Sequence, residues 1–256
     1  MGSARSLHLP QVHQSIRRQI VDSVRAGYLR VFFVLNLTAS SCTYCEDSLQ
    51  QQHDLERLLP AIQAIGADKV ASLTFEPECC WPKLKDNLSY SDCFADNWAC
   101  PPQWRSREIC DENVREYERI FGVSFDWILQ IRPDQQWLFP LGDLRRFQPN
   151  LLYMGWYSFT ELSDHYSLVP RALMPTLTTI FRTESGDYIC LTTDEVLELR
   201  RAGRCAFGSC GCWLQLQLRR LGVPLGRFPR EIAATLRLKS SGDSELEYWD
   251  ASLLVS

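Results

Sequence analysis

The 256-residue sequence has no apolar run approaching the length that crosses a bilayer, and no hydrophobic leader near its start. Taken literally, that predicts a chain with no membrane segment and no targeting signal. It has no G-x-S-x-G, no P-loop and no G-x-G-x-x-G, which removes the simplest hydrolase, nucleotidase and dinucleotide readings. Its four histidines, His8, His13, His53 and His165, form no spaced metal cluster. A net charge of −4 gives no basic footprint, so nucleic acid is not an expected partner. Internal repeats and low-complexity tracts are absent too.

Cysteine, by contrast, is abundant. Eleven residues, at 42, 45, 79, 80, 93, 100, 110, 190, 205, 210 and 212, fall mostly in stretches that read as loops. That placement suits disulfides in an oxidising lumen. Two sequons, Asn36-Leu37-Thr38 and Asn87-Leu88-Ser89, permit the same compartment. The absence of a leader conflicts with this expectation, and a truncated N-terminus would reconcile them. Cys42-x-x-Cys45 also admits a redox dithiol or half a zinc site completed by Cys210-x-Cys212, although that spacing is wrong for a zinc ribbon.

Hydrophobic periodicity gives an alternating order of helices and strands. Val12, Ile16, Ile20 and Val24 mark a helix over 9–26, and Arg30 to Leu37 reads as a buried strand. A helix over 54–65, kinked at Pro60, precedes a strand over 69–75. Residues 76–103 have no period and read as a cysteine-rich excursion. A helix over 104–121, ended by Gly122, leads to the strand at Phe125. Short strands over 150–155, 165–169 and 223–228 and helices over 170–181, 192–201 and 212–221 follow. Residues 239–256 read as a polar tail. This order predicts a single layered α/β domain over 1–238 with a mainly parallel central sheet.

The organising stretch is Phe125-Asp126-Trp127-Ile128-Leu129-Gln130-Ile131-Arg132-Pro133-Asp134. Its apolar run predicts a strand buried on both faces, and Pro133 stops it. Asp134 is thereby delivered past the carboxyl end of a strand, where open α/β sheets bind ligands and a carboxylate can hold a cation against a diphosphate. An Arg132–Asp134 pair in an ordinary turn is the other reading. Asp164 opens a later strand beside His165, either as a site carboxylate or as a turn residue. Glu195 lies in Thr192-x-x-Glu195, which a helix capping box explains by itself.

Several segments together resemble a poorly characterised group of GT-A-like glycosyltransferases of plants, algae and fungi. The resemblance is carried by Phe125-Asp126-Trp127…Arg132-Pro133-Asp134…Trp137…Pro140 and by the Cys110…Glu118 spacing ahead of it. It continues in Ser163-Asp164-His165-Tyr166-Ser167-Leu168-Val169-Pro170-Arg171, Glu195-Val196-Leu197, Cys212-Trp213-Leu214 and the opening Gly2-Ser3-Ala4-Arg5-Ser6. It implies a nucleotide-sugar fold in which Asp134 takes the metal, Mn²⁺ or Mg²⁺. Arg5 and Arg132 would lie near the nucleotide, Asp164 near donor sugar or acceptor, and Glu195 at the rim. It also implies a first strand ahead of Gly2 and a Golgi or secretory lumen. Gln130 stands where the family often carries another arginine.

The expected activity is metal-assisted transfer of a sugar from a nucleotide-sugar donor to a glycan or glycoprotein acceptor, with Asp164 or Glu195 as general base if the reaction inverts. Two rivals stand beside it. One is an inactive sugar-binding or scaffold protein on the same fold; the other is a thiol–metal protein built on Cys42, Cys45, Cys210 and Cys212.

Overall fold

The computed structural model describes residues 2–3, 6–25, 27–37, 48–77, 100–156, 162–180, 210–229, 235–238 and 244–246. The expected alternation of helix and strand is present. A two-residue strand β1 (Gly2–Ser3) leads through helix α1 (Pro10–Ser15) to β2 (Val31–Leu37). Helix α2 (Ser48–Gly66), with Pro60 inside it, precedes β3 (Val70–Pro77). Helix α3 (Cys100–Phe121) then leads to β4 (Trp127–Ile131). Gly122 caps α3 at φ 62°, and the Val123 amide reaches back to the Glu118 carbonyl at 3.2 Å. This closes the helix by the left-handed cap that glycine permits at least cost.

β1, β2 and β3 form one sheet, parallel throughout. A second sheet runs β4, β7 (Leu162–Pro170), β6 (Leu152–Trp156), β8 (Leu225–Arg227). Here β4 and β6 lie antiparallel to β7, and only β6 and β8 are parallel. The architecture is therefore mixed α/β, and the parallel expectation for β4 is corrected: among the described residues this strand pairs with β7 alone, and antiparallel. A third sheet, β5 (Gln135–Trp137), β9 (Thr235–Leu238) and β10 (Ser244–Leu246), is antiparallel. β10 falls in the stretch read as a polar tail, and neither β5 nor β9 has an apolar run that announces it.

Burial along β4 alternates, with Ile128 and Gln130 buried and Trp127, Leu129 and Ile131 half-buried. Both faces carry apolar packing, as the run predicts, but one face is only half-buried, and among the described residues no strand pairs with the second edge of β4. Two cores cover the β4–β7 sheet. Leu129, Tyr166 and Leu168 pack on the α1 side with Ile16, Ile20, Trp137 and Phe147. Ile128, Met154 and Val169 pack on the other side with Trp104 and Val114 of α3, Met174 and Leu177 of α4 (Met174–Thr179), and Trp213 and Leu214 of α5 (Cys210–Arg220).

α1 continues into a wider π-helical turn over Ile16–Val21, where the Asp22 amide reaches the Arg17 carbonyl at 2.8 Å. There the Gln19 carbonyl accepts from the Leu141 amide at 2.8 Å. One turn earlier, Ser15 Oγ donates to the Val12 carbonyl and accepts the Trp137 amide at 2.9 Å. The N-terminal helix thus holds both β5 and the loop that leaves it.

Candidate active site at the end of β4

β4 ends where Pro133 denies the ladder an N–H. Just before it, the Arg132 amide donates to the His165 carbonyl of β7 at 3.1 Å. Two residues later the chain is in β5, a member of a different sheet. Asp134 therefore lies where the chain passes from the β4–β7 sheet to the small antiparallel one. Its carboxylate accepts a parallel pair of bonds from one guanidinium, Arg132 Nε to Oδ1 at 2.9 Å and Nη2 to Oδ2 at 2.7 Å. Both side chains are largely withdrawn from water, 13% exposed for Arg132 and 2% for Asp134. Such a bidentate fork is the geometry in which a buried ion pair recovers most of its lost hydration.

Beside the fork, Gln135 Nε2 meets His165 Nδ1 at 3.1 Å, both buried. β7 is irregular at this point. Met154 is opposite Ser167 while the next residue, Gly155, is opposite Ser163, so residues 164–166 bulge from the β6 ladder. A bulge re-aims side chains, and this one carries Asp164 and His165 at the end of β4. Gly155 makes room for it: a Cβ there would come within 2.7 Å of the Tyr166 ring. In the adjoining small sheet, Trp137 and Thr235 are ladder partners. Trp137 Nε1 and Thr235 Oγ1 are both buried without a hydrogen-bond partner among the described residues. Orphaned donors of this kind favour an ordered water or a polar ligand atom.

Of the residues singled out from sequence, Arg132 and Asp134 are brought together. Asp164 is in β7 by its backbone, one residue from His165, and its side chain is outside the described atoms. Arg5 and Glu195 lie outside the described residues, as do Cys42, Cys45 and the cysteine-rich segment 78–99. Among the described residues, no group of three or more His, Cys, Asp or Glu side chains is placed to hold a metal. The corner supplies one hard carboxylate oxygen pair, which suits Mg²⁺ or Mn²⁺ only if phosphate and water complete the shell. Gln130, which stands where the resembled family often carries an arginine, points into packed structure: it accepts from Ser167 Oγ at 3.0 Å and its Nε2 lies 3.6 Å from Met174 Sδ.

Glu118 and Arg171, both part of the family resemblance, are partners at the opposite end of β4. Arg171 Nε donates to Oε1 at 3.0 Å and Nη2 to Oε2 at 2.8 Å, and Glu118 also takes the Phe125 amide at 3.0 Å. Burial pushes the Glu118 carboxyl up, but these donors outweigh it and hold the group below its ordinary value. Asp111 is within 3.4 Å of Arg171 and 3.1 Å of Arg115. There burial wins and the carboxyl is raised despite both guanidinium groups. This network clamps α3 to the end of β7 and touches nothing at Asp134. Cys110 is a buried free thiol, pushed up to about 11 by burial. It is inert packing rather than a reactive or metal-binding group.

The sequence reading missed Gln135, the Gln135–His165 contact and the unpaired Trp137–Thr235 position. A faint signal existed in Gln135-x-Trp137, whose alternation after Pro133 is that of a short strand. No known protein-family model matches the chain, and no curated protein matches it.

Proposed function

We propose that this chain is a glycosyltransferase-type domain of GT-A-like architecture, using a nucleotide-sugar donor and a glycan or glycoprotein acceptor. The observation that carries the reading is the position of Asp134, past the carboxyl end of β4, between two sheets, with Arg132 and His165 beside it. A donor diphosphate arriving there meets a guanidinium already oriented by a carboxylate. Arg132 can turn one N–H toward phosphate oxygen while the Asp134 carboxylate holds the rest of the guanidinium in place. A Mn²⁺ or Mg²⁺ held by Asp134 and the diphosphate would neutralise charge on the leaving group. Asp164, on the same bulge as His165, is the candidate base for the acceptor hydroxyl. His165 is kept in one ring orientation by Gln135 and helps to order that bulge.

A second reading has its own support. Asp134 is almost fully buried and both its oxygens are engaged by Arg132, which favours a sugar-binding or scaffold protein that keeps the architecture without turnover. A thermal-shift titration with uridine and guanosine diphosphate sugars, with and without Mn²⁺, separates them. The transferase reading expects a metal-dependent rise that Asp134→Asn abolishes. A metal-independent rise supports the binding protein, and no rise with any donor sinks the transferase.

A further inference from the structure

β4 and β8 run the same way, since β7 is antiparallel to both β4 and β6, and β6 is parallel to β8. One ladder row crosses the sheet through Leu129, Leu168, Tyr153 and Gly226, which sets the two strands level. Each is fed by a helix on the same face. α3 and α5 share the core around Val114 and Leu214, and their Trp104 and Trp213 rings lie 5.6 Å apart. Both helices therefore end at the same end of the sheet, opposite the Asp134 corner, with β4 and β8 about 14 Å apart by strand spacing.

The two helices close alike. Gly122 and Gly222 each take φ 62°, and the Val123 and Val223 amides reach back to the Glu118 and Leu218 carbonyls. In this cap the apolar residue after glycine packs back onto the helix. Val123 and Val223 hold that place and are half-buried. Phe121 and Leu221, just before the glycines, are left outside at 59% and 57% exposed. Ile120 is 57% exposed beside Phe121. Tyr28, 43% exposed, is held at the same place by a 2.6 Å contact between its hydroxyl and that of Tyr117 in α3. Four of the six exposed large apolar side chains among the described residues thus lie at one end of the molecule.

That end is also basic, in a chain whose net charge is −4. Arg30, Arg119, Arg219 and Arg220 stand there against Glu116 and Asp126. Beside them, Arg115 and Arg171 are balanced by Asp111 and Glu118 in the clamp. Separate apolar tips between guanidinium groups do not make the continuous groove that a peptide helix fills. Tyr28 and Tyr117 join apolar rings to paired hydroxyls, and each arginine carries an apolar stem below its charged head. This is the composition of a surface that rests at the headgroup level of a bilayer.

We infer that this end of the sheet docks on an anionic lipid bilayer. Phe121, Ile120 and Leu221 enter below the headgroups, and Arg30, Arg119, Arg219 and Arg220 meet the lipid charge. The Asp134 corner then faces away from the membrane, and the docking does not depend on the function proposed for that corner.

The test is co-sedimentation of the full chain with phosphatidylcholine vesicles, with and without about one-third phosphatidylserine. Partitioning onto the anionic vesicles should be about tenfold or more higher, and should fall as salt screens the arginines. Phe121→Ser/Leu221→Ser and Arg219→Gln/Arg220→Gln should each lower it about fivefold or more. Leu59→Ser, on the exposed side of α2 in the other core, should leave it unchanged. Unfolding midpoints without lipid identify a variant that fails to fold. The parent gives a readout that needs no variant: amide exchange over 119–124 and 219–224 should slow on anionic vesicles. Equal partitioning onto both vesicles overturns the proposal, as does unchanged exchange at those residues. Binding that neither folded double variant weakens also overturns it, because another surface then attaches. Self-association of the parent that Phe121→Ser/Leu221→Ser abolishes, without vesicle binding, overturns it in favour of a second copy of this chain.

Discussion

Arg132 holds both oxygens of Asp134 across the intervening Pro133, at 2.9 and 2.7 Å, in a corner almost closed to water. Residues two apart lie on one face of an extended chain, so the two side chains can meet across Pro133, which ends β4 between them. The turn pair and the proposed ligand site are thus the same two residues, and removing either charge separates the two roles.

Asp134→Asn should leave a buried guanidinium without its counter-charge, costing about 3 kcal/mol of stability. The double variant Arg132→Met/Asp134→Leu removes both charges and should return to within about 1 kcal/mol of the parent. Urea unfolding of the parent, both single variants and the double variant measures the coupling. A single-variant cost below about 0.5 kcal/mol would mean that the pair is no stronger than a surface bridge.

The clamp at the other end of β4 predicts a signed pH dependence. Glu118 has a depressed carboxyl, so its contribution is present above the unfolded value and lost as pH falls through the folded one. Asp111 is raised, so its contribution is present below the unfolded value and lost as pH rises through the folded one. Glu118→Gln should therefore destabilise at neutral pH and flatten the acid limb. Asp111→Asn should not destabilise at neutral pH. Unfolding midpoints between about pH 3 and 7 check both.

Gly155→Ala places a methyl group against the buried Tyr166 ring. Overpacking there should cost about 1–3 kcal/mol and disturb the 164–166 bulge. A melting temperature equal to the parent's would show that the ring moves freely.

Thr235→Val removes a buried hydroxyl that has no partner among the described residues while keeping its shape. Stability should rise by about 1 kcal/mol, read as a higher midpoint in urea. A fall would reveal that the hydroxyl serves a bound water or a ligand.

The layered α/β order, the β4 stop at Pro133 and the Gly122 cap were legible because each is written locally, in periodicity or in one residue's backbone chemistry. Strand direction was not. The apolar run of β4 reports burial, and burial is shared by parallel and interior antiparallel strands, so Trp127–Ile131 could not declare its pairing with β7. Asp134 was legible as a strand-end carboxylate, and its partner was named as one of two readings. The Gln135–His165 contact was not legible, because 30 residues separate its members and neither belongs to a motif. Glu118 and Arg171 carried the family resemblance, while their contact at the far end of β4 is a matter of architecture.

The bond between Ser15 and the Trp137 amide spans 122 positions. As the protein is made, the N-terminal helix must wait on the order of ten seconds for that partner to be synthesised. During that interval Ser15 and the π turn after it have neither Trp137 nor Leu141 to hold, and the apolar face of Ile16 and Ile20 is uncovered on that side. Closing a loop of this length is entropically costly, so the step that seats the small sheet belongs late in folding. A nascent chain arrested before residue 137 should recruit hydrophobic-binding chaperones, and one arrested well beyond residue 141 should release them.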